Sequence, residues 1–88
     1  MKLRGEFVVR QILDDTVAVP VGQTALELNG MILLNDVSRI IWTQLERGTT
    51  PEGILQAVTD AFDVTPEEAQ ADISEFCEKL RMLQLLEE

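Results

Sequence analysis

The sequence predicts an α+β fold, an N-terminal three-stranded antiparallel sheet followed by three helices in a winged helix-turn-helix-like order. Three observations carry this. Short strand-like apolar runs, the first two rich in β-branched residues, occupy the chain as far as Leu34, and from Asp36 apolar residues recur with a period of about 3.6. Two Thr-Pro pairs, Thr50-Pro51 and Thr65-Pro66, then divide the helical part into segments.

Phe7-Val8-Val9-Arg10-Gln11-Ile12-Leu13 is rich in β-branched residues, stops at Asp14-Asp15 and resumes as Thr16-Val17-Ala18-Val19-Pro20-Val21, the pattern of a hairpin. Pro20 has no amide to give to a ladder, which places it near the second strand's end, at a bulge, or facing away from a neighbour. Met31-Ile32-Leu33-Leu34 reads as a third strand, while Ala25–Leu28 fits either a strand or a short helical turn. Strands are expected over about residues 6–34 and helices over about 36–86.

Val37, Ile41 and Leu45 stack along one line of the first helix, with Ile40 and Trp42 widening that face. Asn35 or Asp36 can cap its start, and Gly48 suits the left-handed position just past its end. Thr50-Pro51 opens the next helix, whose apolar side is Ile54, Leu55, Val58, Ala61 and Phe62. Thr65-Pro66-Glu67-Glu68 forms a capping-box pattern at the start of the last, where Ala69, Ile73, Phe76, Leu80 and Leu83 mark a buried stripe with Cys77 at its margin. No internal repeat, low-complexity tract or linker interrupts this order, and residues 1–88 are expected to form a single domain around one core.

Charge and composition narrow the function. With 16 acidic against 7 basic residues, a formal net charge of −9, long-range repulsion opposes nucleic acid and anionic lipid alike. The apolar run Met31–Leu34 is far short of the roughly 20 residues that cross a bilayer. The lone Cys77 and the start Met1-Lys2-Leu3-Arg4-Gly5-Glu6, without the apolar run of a secretory signal, point to a reducing cytoplasm.

The catalytic inventory is nearly empty. There is no histidine, which removes the commonest general base and metal ligand. One cysteine cannot build a thiolate metal site, and the five dispersed glycines form no phosphate loop. Glu67, Glu68, Asp72, Glu75 and Glu78 are better explained as carboxylates favouring a helix start and then forming a solvated face than as acid–base pairs. Cys77 and Trp42 read as packed side chains. No enzyme activity, cofactor or metal is expected.

Two features resemble a binding surface. Met31–Leu34 is apolar at four successive positions, so both faces of that strand carry large apolar side chains. The last helix has a stripe, flanked by Met82 and Cys77, wider than two small neighbouring helices need. Patterning alone is equally consistent with completion of the core or a homodimer contact.

Leu33-Leu34-Asn35 opening the first helix, Ile41-Trp42 followed by Leu45, Thr50-Pro51-Glu52 opening the second, and Ala71-Asp72-Ile73 with Phe76 and Leu80 in the third, taken in this order and spacing, resemble the PqqD-like proteins. These are also called RiPP recognition elements, and they bind the leader peptides of ribosomally made, post-translationally modified peptides. The likeness runs from about Phe7 to Leu86. It implies a precursor leader peptide, in this class often acidic, adding as a strand beside the third strand and resting against the last helix. Carried onto this chain, the implied peptide-binding residues are Gly30, Met31, Ile32 and Leu33 on the strand side and Asp72, Phe76, Lys79, Leu80 and Leu83 on the helix side. The implied second partner is a peptide-modifying enzyme such as a radical-SAM maturase. The alternatives are a winged-helix DNA-binding regulator and a homodimeric scaffold module.

Overall fold

The computed structural model describes residues 1–88 and divides into two compact units, Gly5–Asp36 and Met1–Arg4 with Val37–Glu88. The element order is β1 (Lys2–Leu3), β2 (Phe7–Ile12), β3 (Asp15–Pro20), α1 (Gly22–Glu27), β4 (Ile32–Leu34), α2 (Asp36–Arg47), α3 (Pro51–Ala61), α4 (Pro66–Met82) and β5 (Leu86–Glu87). The three-stranded antiparallel sheet and the three long helices expected from the sequence are all present.

In the first unit β3 is the central strand, in the order β2-β3-β4. β2 and β3 form a hairpin in register Phe7↔Pro20 to Ile12↔Asp15, so the turn is Leu13-Asp14, with Leu13 at φ 55. The second strand therefore starts one residue earlier than expected, because Asp15 pairs with Ile12. Pro20 closes β3 at its last position, where a missing amide costs least. Between β3 and β4 the open stretch resolves as helix, but over Gly22–Glu27 rather than Ala25–Leu28. Its start has no side-chain cap; instead Thr24 is buried and its Oγ1 accepts a hydrogen bond from Glu6 N at 2.8 Å. The third strand is one residue shorter than read, Ile32–Leu34, and pairs Thr16↔Leu34, Val17↔Leu33 and Ala18↔Ile32.

In the second unit the helix boundaries follow local chemistry. Gly48, just past α2, has φ +84, a conformation that costs a residue with a Cβ. Thr50 caps α3, its Oγ1 accepting from Gly53 N at 3.0 Å, and Pro51 fills the first helical position. Thr65 does the same for α4. Ile41, Trp42 and Leu45 of α2, Ile54 and Val58 of α3, and Ala69, Ile73, Phe76, Cys77 and Leu80 of α4 are buried, and α3 packs on α4.

The helical part does not run to about residue 86, as the sequence suggested, but ends at Met82. Leu83 is the C-cap, Gln84 takes φ 60, and the chain turns so that Leu86–Glu87 pairs with Lys2–Leu3 in a second, two-stranded sheet. Arg4 N adds a hydrogen bond to Leu85 O at 2.8 Å. Leu83, expected in the buried stripe, is consequently 38% exposed, while Leu85 beyond the turn is buried. No helix is long and apolar enough to cross a membrane.

Candidate functional site

The residues expected to bind peptide fall on two elements, one in each unit. On the strand side, β4 is an edge of its sheet: β3 occupies one side and no strand the other. An edge of this kind presents backbone N–H and C=O groups that a further strand can satisfy. Nothing in β4 blunts it, since Ile32-Leu33-Leu34 contains no proline and no charge. The alternation of the strand sorts its apolar run into two faces. Ile32 and Leu34 point into the core, at 3% and 4% exposure, whereas Leu33 is 59% exposed and Met31 57%. Gly30, exposed and at φ +107, leads into this segment; a Cβ there would meet nothing within 4 Å, so the demand for glycine comes from its backbone alone.

On the helix side, Asp72, Phe76, Lys79 and Leu83 follow the i, i+4, i+7, i+11 spacing that keeps side chains on one line of α4 and its cap. Asp72 and Lys79 are exposed and Leu83 partly so, while Phe76 is buried at 9%. Leu80 lies on the middle of the buried stripe, fully inaccessible. The strand and helix sets thus each contain outward and inward residues: Gly30, Met31, Leu33, Asp72, Lys79 and Leu83 are exposed, and Ile32, Phe76 and Leu80 are buried. Lys79 makes no ion pair within 4 Å, unlike its neighbour Arg81, which bridges Glu78 at 3.4 Å and Glu88 at 2.8 Å.

The other margin of the α4 stripe borders a cleft of about 410 Å³, whose lining includes Ile54, Ile73, Ser74, Cys77 and Arg81. Burial pushes the Cys77 thiol up from its ordinary pKa, with the Arg81 charge opposing, so the sulfur is held in its unreactive neutral form. No group of three or more histidine, cysteine or carboxylate side chains is placed to hold a metal ion. Sequence patterning did not separate Met31 and Leu33 from Ile32 and Leu34, because all four are apolar; only the pairing with β3 assigns their faces.

An unblunted strand edge with an apolar outer side is the geometry that strand-adding peptide-recognition modules offer. The chain is a member of the PqqD family: the family model described as coenzyme PQQ synthesis protein D matches residues 12–86. This is a family of non-catalytic, peptide-binding proteins of RiPP biosynthesis. The solved structure of TbiB1 in complex with the TbiA(beta) leader peptide is similar to the chain at 28% identity and a TM-score of 0.73, covering 99% of this chain and 95% of TbiB1. Comparison with curated proteins gives no match.

Proposed function

We propose that this chain binds the leader of a ribosomal precursor peptide by strand addition at the free edge of β4 and presents it to a separate peptide-modifying enzyme in the cytoplasm. The observation that carries the reading is the open edge of Ile32–Leu34, in a chain whose similar structure, TbiB1, was solved with a leader peptide. Gly30, Met31, Ile32 and Leu33 form the strand side of the site. Asp72, Phe76, Lys79, Leu80 and Leu83 of α4 form the helix side, with Phe76 and Leu80 acting through packing. The family match from residue 12 to residue 86 runs through both units, which supports residues 1–88 acting as one recognition domain.

Holding the leader raises the effective concentration of the attached core peptide at the enzyme without any bond chemistry on this chain. A radical-SAM maturase is the enzyme class proposed. Main-chain hydrogen bonds supply affinity and side-chain contacts supply selectivity.

The test is titration calorimetry with peptides from short open reading frames beside the gene, with the TbiA(beta) leader as a reference. A scan of single N-methyl or proline substitutions along a binding leader should weaken it with a period of two, because alternate amides donate to the ladder. A flat scan, or a period near 3.6 from a docked helix, would overturn strand addition.

A further inference from the structure

We propose that Leu33 is a specificity-determining residue that selects an apolar side chain at one outward-facing position of the bound peptide; this rests on the reading of β4 as the peptide-binding edge. The argument comes from one row of side chains across the sheet. Arg10 pairs with Val17, and Val17 with Leu33, so the three lie side by side on the same face. Val17, flanked on both sides, is 5% exposed, whereas Leu33, flanked only by Val17, is 59% exposed. The row is complete at its middle and unfinished at its β4 end.

An added strand continues that row. Where that strand runs antiparallel to β4, its residue opposite Leu33 has a Cβ about 4.5–5.5 Å away, the closest side-chain relationship in such a ladder. An apolar group there gives Leu33 the second flank that Val17 already has and removes both side chains from water. A charged or small polar group leaves the leucine wet. Met31, two residues earlier and also exposed, favours a second apolar residue two positions along the peptide. The ligand class is therefore a segment that is apolar on its outward face next to β4, in addition to whatever its inward face supplies. Arg10 at the far end of the row lies two strands farther from the peptide and does not read this position.

The experiment pans a phage-displayed library of random dodecapeptides in parallel on the wild-type chain and on Leu33→Lys, with Ile12→Thr as control. Ile12 is exposed on the same face but paired with Asp15 at the hairpin end, away from β4. Circular dichroism verifies that each variant folds. Peptides enriched on the wild type should carry apolar residues at alternating positions. On Leu33→Lys, one of those positions should change to aspartate or glutamate, and wild-type peptides should bind that variant about two- to fivefold more weakly. Ile12→Thr should enrich the wild-type pattern. The same residue classes on Leu33→Lys as on the wild type would overturn the inference. An N-methyl scan of the enriched peptides separates the two readings. A period of two without the switch sinks only the role of Leu33, whereas a flat scan sinks strand addition itself.

Discussion

Thr65 Oγ1 accepts a hydrogen bond from the backbone amide of Glu68 at 3.1 Å, fixing the first turn of α4. Pro66 holds the first helical position, and Glu67 and Glu68 place negative charge at the positive end of the helix dipole. Thr65→Ala should cost about 1 kcal/mol. In a chain of this size that lowers the melting temperature by roughly 4–8 °C, measured by circular dichroism. An unchanged midpoint would mean that the cap does not hold the helix that carries Asp72 and Lys79.

Thr24 is the counterpart in the strand unit. Its buried hydroxyl takes the amide of Glu6, eighteen residues away in sequence, and so ties α1 to the approach of β2. Thr24→Val keeps the shape and leaves that amide without its acceptor, which should cost about 1–3 kcal/mol. Chemical denaturation should register the loss. A neutral result would show that water replaces the hydroxyl.

Lys79→Glu should weaken leader binding while leaving the fold intact. Lys79 is exposed, makes no ion pair and stands in the last turn of α4, where an anion costs about 0.3–1 kcal/mol. With an acidic leader, the loss of affinity should shrink as salt is raised, because the attraction acts through water. Calorimetry at low and high ionic strength reads it, and an affinity loss independent of salt would assign Lys79 a packing role instead.

The raised thiol pKa of Cys77 gives a pH signature. The folded state disfavours the thiolate, so this contribution to stability is fully present below the unfolded value, near pH 9, and is lost as pH rises through the folded one. Melting temperatures of the wild type and Cys77→Ala, compared from pH 7 to pH 11, should converge at the alkaline end. Curves that stay parallel would show that the buried thiol does not titrate in this window.

What the sequence made legible was local. Thr50-Pro51, Thr65-Pro66 and Gly48 announce helix ends through their own backbone chemistry, and Ile41, Leu45, Ile54 and Val58 announce buried faces through spacing. What it hid depends on distant partners. Gly22–Glu27 has no capping residue to announce it, and its anchor is Thr24 meeting Glu6. Leu80, Leu83 and Leu86 keep helical spacing, so nothing local marks the stop at Met82; the competing interaction is the pairing of Leu86 with Leu3 at the opposite end of the chain. The candidate strand site was legible as a segment, Met31–Leu34, but not as faces. A run of four apolar residues contains no alternation from which to read which side a partner sees.

The short ladder between residues 2–3 and 86–87, with its Arg4–Glu87 ion pair at 3.7 Å, holds the two ends of this segment side by side. A segment whose ends meet can be spliced into a surface loop of a host protein through two brief connectors, without stretching either one. The same geometry makes the segment a natural subject for circular permutation.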